Sequence, residues 1–347
     1  MVPSKVLIAM SGGVDSSAAA CIMRQAGFDC IGATMRLHDP NDSAADAQAV
    51  AEKLNMPFLL LDCCDRFREM VMSPFVRSYE DGITPNPCIR CNRYLKFGLL
   101  LDQALAMGCD YIVTGHYCRI RQDDSGRFLL LKAVDPGKDQ SYFLYTLTQH
   151  QLSHIRFPLA DLSKEQARAI AQEHGLLNAR KRDSQDICFI PNGDYFQFMR
   201  QYTKKKYPDG RFLDTNGNVV GKSQNAVAYT RGQRKGLGLA MGKPVYVLSK
   251  DMQDNHIVVG DNEALFSTSL LADDWNFIPF DTLTQPIRCK AKARSRMTEQ
   301  AATVYPEANG LCRVVFDEPQ RAITTGQAVV LYDGDLVLGG GTITEVL

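Results

Sequence analysis

The stretch KVLIAMSGGVDSSAAACIMRQAG, residues 5–27, decides the fold. Val6–Ala9 is a short apolar run that reads as a buried strand, and Val14–Ala26 carries apolar residues at helical spacing. Between them lie Ser11-Gly12-Gly13-Val14-Asp15-Ser16-Ser17. A strand that passes through glycines straight into a helix presents the helix's first amides, with their partial positive charge, at the strand's carboxyl end. Glycines let a phosphate approach the backbone, and serine hydroxyls add donors. Asp15 is then available to orient a metal ion or a water on the phosphates. The loop has no lysine of the Walker A type. A plain strand–helix turn with ordinary caps is the competing reading, but it does not account for three serines, two glycines and an aspartate at one junction.

The same alternation continues outward. Cys30–Met35, Phe58–Leu61 and Tyr111–Thr114 read as strands, and Ala44–Leu54, Phe67–Tyr79 and Tyr94–Ala106 as helices. This predicts an α/β, Rossmann-like fold with a parallel sheet covered on both faces. Ligands of such sheets sit at the carboxyl ends of the strands, where Ser11–Ser17, Met35 and Thr114–His116 fall. Residues 164–202 read as helical. Past residue 208 the helical period gives way to short β-rich runs punctuated by Asn216–Gly217, Asn309–Gly310 and Asp333–Gly334, which are favoured hairpin turns. The expected units are therefore a nucleotide-binding domain with a helical extension over 1–207, a small β-rich domain over 208–270, and a β-barrel over 271–347.

The 347 residues balance 39 Lys+Arg against 39 Asp+Glu, so no global basic field marks a nucleic-acid partner. Local clusters do occur: Arg180–Arg182, Lys204–Lys206, and Arg231 with Arg234 and Lys235 in a glycine-rich loop. No apolar run approaches the roughly 20 residues needed to span a bilayer. The expectation is a cytoplasmic protein without a membrane segment, and a monomer. Eleven cysteines in a long α/β chain lacking an export signal point to thiols rather than a secreted disulfide framework. Cys21, Cys30, Cys109 and Cys118 read as core fillers.

Thr84-Pro85-Asn86-Pro87-Cys88-Ile89-Arg90-Cys91-Asn92 reads as a stiff loop entering the Tyr94 helix. Cys91 would stand near that helix's N-terminus, where the dipole favours thiolate, with Arg90 and Arg93 adding positive charge. A Cys-x-x-Cys pair can be half a zinc site, a redox pair, or part of a set completed by a distant cysteine. A zinc site needs a second pair, and Cys63-Cys64 are adjacent and poorly placed to chelate together. Cys188, in Asp183-Ser184-Gln185-Asp186-Ile187-Cys188, is the best third member. His116 has two readings, a satisfied core residue or a site residue; its place beside Gly115 favours the site.

The loop resembles the PP-loop of ATP pyrophosphatases. With TPNPCIRCNRYLKF (84–97), VTGHY (113–117), KDQSYFLYTL (138–147), DSQDICFIP (183–191), RGQRKGLG (231–238) and LGGGTI (338–343), the chain resembles the tRNA-specific 2-thiouridylases over essentially its whole length. That resemblance implies an enzyme that uses ATP and Mg²⁺ to adenylate the C2 oxygen of the wobble uridine in tRNA, then replaces it with sulfur. It implies ATP contacts at Ala9, Met10, Ser11, Gly12, Gly13, Val14, Asp15, Ser16, Ser17, Met35 and Gly115. It implies a persulfide on Cys188, resolved by Cys91 with release of hydrosulfide or formation of a disulfide. Sulfur would come from a relay protein, a cysteine desulfurase or free sulfide. It places Asn86, Pro87 and Cys88 against the target base, and His116, Lys138, Asp139, Gln140, Arg294, Ser295 and Gln327 against tRNA. The chain departs from the family pattern at Cys88, where many members carry Asp. Cys88, Cys91 and Cys188 could instead ligate a [4Fe–4S] cluster with one open iron. Two other functions stay open at this point: a PP-loop enzyme acting on a small molecule, and a non-enzymatic RNA-binding or cluster-sensing protein.

Overall fold

A computed structural model describes residues 3–38, 42–176, 187–190 and 192–347. Strand β1 (Lys5–Ala9) leads through the glycine loop into helix α1 (Val14–Gln25). Next come β2 (Asp29–Arg36), α2 (Asp42–Lys53), β3 (Phe58–Asp62) and, after a long helical region, β4 (Tyr111–Val113). The sheet runs β3-β2-β1-β4, with Ile155–Arg156 at the far edge, and every pairing is parallel.

Side-chain alternation along β1 explains the two covered faces. Val6 and Ile8 point into one core with α1, α2 and Ala167 and Ala171 of the helix Lys164–Glu173. Leu7 points into the other, with Phe97, Leu100, Leu101 and Tyr142. Cys21, Cys30, Cys109 and Cys118 are all buried.

The helical region begins earlier than the sequence suggests. Asn86 is an N-cap whose side chain accepts from Ile89 N at 3.4 Å, and Pro87 opens the helix Pro87–Arg90. Proline at the first helical position costs no hydrogen bond and is set for helical φ. The chain continues through a wider π-helical run, Cys91–Leu99, into Leu100–Ala106. Cys88 is therefore nearer the helix start than Cys91.

Two β units follow. The smaller sheet has the order Tyr246–Asp251, His256–Gly260, Gly210–Leu213, Val219–Ser223, and packs around Phe212, Tyr229, Val247 and Ile257. Its His256–Gly260 and Gly210–Leu213 strands are parallel, a crossover that no turn signal announces. The larger is a closed barrel. Its strands Phe266–Phe277, Cys312–Arg321, Gln300–Pro306, Ile287–Lys292, Ala328–Asp333 and Leu336–Val346 pair in that order, and the last returns to the first. Asn309 (φ 59°) and Gly310 (φ 76°) both take the left-handed conformation at the turn before Cys312–Arg321.

A hairpin of Arg119–Gln122 and Phe128–Leu131 leaves the first unit and joins the barrel's last strand, with Leu131 opposite Leu336. Lys132 N donates to Asp335 O at 2.9 Å, and Arg119 pairs with Asp335 at 2.7 Å. Among the described residues, no helix is long and apolar enough to cross a membrane.

Candidate active site

The glycine loop lies at the carboxyl end of β1, and no side chain caps the first turn of α1. Gly12 has φ 69°, a left-handed turn suited to glycine. Ser11 N donates to Ser16 Oγ at 3.2 Å, while Ser16 Oγ and Ser17 Oγ donate to Gly13 O at 3.1 and 3.0 Å. The two inner hydroxyls brace the loop, and Ser11 is exposed at its mouth. Ala9 is half-buried; Met10 and Val14 are buried, and Thr34 Oγ1 donates to Met10 O at 2.6 Å.

Gly115, one residue beyond Thr114 after β4, presses on the loop. A Cβ there would lie 2.7 Å from Asp15 C and from Ser16 N. Only glycine lets β4 and the start of α1 approach this closely.

Asp15 is not an open carboxylate. Lys164 Nζ donates to both its oxygens at 2.7 and 2.8 Å, and Tyr117 Oη donates to Oδ1 at 2.8 Å. Lys164 itself is buried. Asp15 thus ties α1 to the helix Lys164–Glu173. Neither Lys164 nor Tyr117 stood out in the sequence, because nothing local links them to the loop.

Met35, at the end of β2, joins one core of the sheet to the thiol side. It packs against the core holding Ile89 and Phe97 and against the cluster of Phe67, Phe75, Cys91, Leu95 and Phe189. Cys91 is buried, whereas Cys88 and Cys188 reach solvent. Phe189 anchors the Cys188 turn edge-on against Phe67 and Phe75, with ring centroids 5.5 and 5.3 Å apart.

The three thiols influence one another. Burial pushes the Cys188 thiol up to about 11, with Cys91 and Cys88 adding to the rise and Lys96 opposing it. Burial also raises Cys91 and Cys88, again against Lys96. Cys88 and Cys188 thus reach solvent while the surrounding protein still raises both thiols. The expected help from Arg90 and Arg93 is absent. Arg90 Nε donates to Met70 O at 3.0 Å, Arg93 pairs with Asp274, and both guanidinium groups lie over the Tyr94 ring. Lys96, further along the π-helical run, is the cation that opposes the rise at all three sulfurs. Cys63 is buried and adds to the rise at Cys91.

The remaining sequence candidates have varied surroundings. Pro87 is buried and Asn86 is used as a cap. His116 is buried, its Nδ1 2.7 Å from Thr114 Oγ1, and it packs on Phe97 and Phe157. Burial, then Lys96, holds it well below the ordinary histidine range, so it is neutral. Lys138 is half-buried, and Asp139 accepts from Ala133 N at 3.0 Å and Ser141 Oγ at 2.7 Å. Gln140 clasps Tyr117 by two backbone-directed bonds of 2.9 and 3.0 Å. Arg294 and Ser295 follow the strand Ile287–Lys292, and Gln327 precedes Ala328–Asp333. Lys204–Lys206, Arg234 and Lys235 are exposed, while Arg231 is half-buried and donates to Leu248 O at 2.7 Å. Arg180–Arg182 and Asp183–Asp186 lie outside the described residues.

Three family models match in succession: a tRNA methyl transferase HUP domain over residues 4–192, a tRNA methyl transferase PRC-barrel domain over 196–261, and an aminomethyltransferase β-barrel domain over 267–343. Curated relatives match end to end. A tRNA-specific 2-thiouridylase MnmA of Acetivibrio thermocellus is 48% identical over 99% of this chain and 100% of its own length. The chain belongs to the tRNA-specific 2-thiouridylase family. Thiouridylases of Clostridioides difficile, 46% identical over 99% of each chain, and of Moorella thermoacetica, 48% identical over 98% of this chain and 99% of its own, agree. In family terms, the first unit is the PP-loop nucleotide-binding domain and the last is the C-terminal barrel.

Proposed function

We propose that this chain is a tRNA 2-thiouridylase that spends ATP to replace the C2 oxygen of the wobble uridine with sulfur. The observation that carries this reading is Met35, at the end of β2, which packs both on the core beneath the strand that leads into the glycine loop and on the apolar cluster holding Cys91. The sheet that presents the glycine loop and the cluster that holds a thiol thus share one side chain.

The uridine O2 attacks the α-phosphorus of ATP, the bond from that phosphorus to the bridging oxygen breaks, and pyrophosphate leaves. The glycine loop holds the phosphates by backbone donors as charge moves onto the leaving group. Sulfur arrives as a persulfide on Cys188, which reaches solvent and so can meet a persulfide-bearing relay protein or a cysteine desulfurase. The terminal sulfur attacks C2 and AMP departs. The Cys91 thiolate then attacks Cys188 Sγ, and the electron pair of the broken S–S bond stays on the base as its new C2 sulfur. The two cysteines end as a disulfide, which a dithiol reductant must reduce before the next cycle. His116, buried and neutral, shapes the tRNA-facing wall as an apolar-packed ring. The wobble base must leave its stack to reach these thiols.

Mg²⁺ would screen the polyphosphate, but Asp15 is a poor ligand for it while paired with Lys164. One observation favours a second sulfur route. Cys88 lies one helical turn before Cys91, and ionisation of either opposes that of Cys188. An open-site [4Fe–4S] cluster held by Cys88, Cys91 and Cys188 would supply an iron to carry sulfide. Among the described residues, the one set of side chains that converges as ligands of a single metal ion is Asp251, Asp254 and His256, not the cysteines.

Nucleoside mass spectrometry after incubation with unmodified tRNA, ATP and a persulfide donor tests the reading, with 2-thiouridine and one AMP per base expected. A Cys188→Ser variant that still thiolates would refute the persulfide route. Iron and sulfide assay of anaerobically purified protein tests the cluster.

A further inference from the structure

The turn Thr324–Gln327 of the barrel reaches across to the loop that starts the cysteine helix. Thr84 N donates to Thr325 O at 3.0 Å. Gln327 Nε2 donates to Thr84 O at 2.9 Å and to Pro85 O at 3.4 Å. Gly326 has φ 83°, and a Cβ there would run into Ile83 Cγ2 and lie 3.0 Å from Thr84 O.

The turn is fixed on its other side as well. Gly326 N donates to Ile343 O and Ile343 N to Gln327 O, both at 2.8 Å. Arg294 Nη2 donates to Thr324 Oγ1 at 2.5 Å and to Arg231 O at 3.4 Å. The barrel thus offers a rigid edge.

The cysteine loop needs one. Pro85 and Pro87 have no N–H to give, so residues 84–87 can make few bonds of their own. Thr84 is buried, and its N–H and C=O are both satisfied from the barrel. From Pro87 the helix runs on to Cys88 and Cys91.

We propose that Gln327 is a positioning residue: through Thr84 and Pro85 it seats the helix start that carries Cys88 and Cys91, so the C-terminal barrel sets the place of the reacting thiols. This deepens the thiouridylase reading and rests on it. It differs from the role that family resemblance gives Gln327, a contact to tRNA. The side-chain amide is already committed to two backbone carbonyls of this chain, and these lie four and three residues before the first cysteine.

The test is Gln327→Ala in the full-length protein. Single-turnover thiolation at saturating tRNA should fall about 10- to 100-fold, as expected for a misplaced reacting group. The tRNA Kd should stay within about twofold. Iodoacetamide alkylation of Cys88, measured without tRNA or ATP, should quicken severalfold as the loop loosens. Gly326→Val, which pushes the same loop from beside it, should give the same pattern; if that variant unfolds, Gln327→Ala decides alone. A tenfold rise in Kd with unchanged single-turnover rate and unchanged Cys88 alkylation would overturn the proposal and make Gln327 an RNA contact. Should the wild type fail to thiolate any tRNA, the functional reading falls. The alkylation comparison still tests the seat, and unchanged alkylation would overturn it.

Discussion

Lys164 Nζ stands 2.7 and 2.8 Å from the two carboxylate oxygens of Asp15, binding the nucleotide loop to a helix 149 residues further along the chain. The lysine side chain is 4% exposed and the aspartate 32%. Removing Lys164 strands the carboxylate in a half-buried setting, where Tyr117 still donates to it. Lys164→Met should cost about 2 kcal/mol, below the usual figure for a fully buried pair because water reaches Asp15. Chemical unfolding measures the loss, and ATP-dependent pyrophosphate release should weaken with it. A variant as stable and as active as wild type would show that the pair does no work at the loop.

A tighter constraint acts at Gly115. A methyl group there would press on the backbone of Asp15 and Ser16, and neither atom can swing aside as a side chain could. Gly115→Ala should destabilise the fold by about 1–3 kcal/mol. It should also lower pyrophosphate release by far more than Ser11→Ala, whose hydroxyl is exposed at the mouth of the loop. Equal effects of the two substitutions in the same assay would argue against a packed contact.

The thiols give a pH signature. Only the thiolate reacts with an alkylating agent. With Cys188 pushed up to about 11, its alkylation rate should keep rising through pH 10 instead of levelling near the value of an ordinary thiol. The same shift acts on stability. Between about pH 9 and pH 11 the unfolded chain ionises this thiol before the folded one does, so the unfolded state binds fewer protons and stability falls as pH rises. Cys188→Ser should flatten that part of the curve. Alkylation of Cys188 that levels off by pH 8.5, read by peptide mass spectrometry, would contradict the raised thiol.

Phe189 separates the placement of sulfur from the handling of ATP. It is buried between Phe67, Phe75 and Phe198, next to Cys188. Phe189→Ala should cost about 3 kcal/mol by opening a cavity. At a temperature where the variant is folded, ATP binding should persist while thiolation drops. Parallel losses of both, measured by calorimetry and nucleoside analysis, would mean that the cluster supports the whole domain and not the Cys188 turn.

The nucleotide half of the site is legible in sequence because its signals are local. A strand, two glycines and a helix lie within twenty residues, and their geometry follows from backbone rules alone. The hairpin turns at Asn309–Gly310 and Asp333–Gly334 are legible for the same reason. What escapes is set by distance along the chain. Lys164 and Tyr117 meet Asp15 only in the folded protein. Arg90 and Arg93 look close to the cysteines by number, yet a helical turn carries them to Met70 O and Asp274. Lys96 looks more remote and acts on all three thiols. His116 follows a strand end, where ligand-facing residues are expected, yet its ring is enclosed by Phe97 and Phe157, as a core histidine's would be. The short helix from Pro87 was hidden because prolines read as loop when their helix-initiating role is not weighed.

The strand Phe128–Leu131 pairs with a strand that begins at Leu336, 205 residues after Leu131. During synthesis, the hairpin leaves the ribosome long before that partner exists. Its outer edge then waits as an unpaired strand, the kind of surface on which nascent chains stick to one another. Maturation of the first unit is thus tied to completion of the last, and a ribosome that stalls within the barrel would release a chain whose nucleotide-binding unit carries an open seam for chaperones to guard.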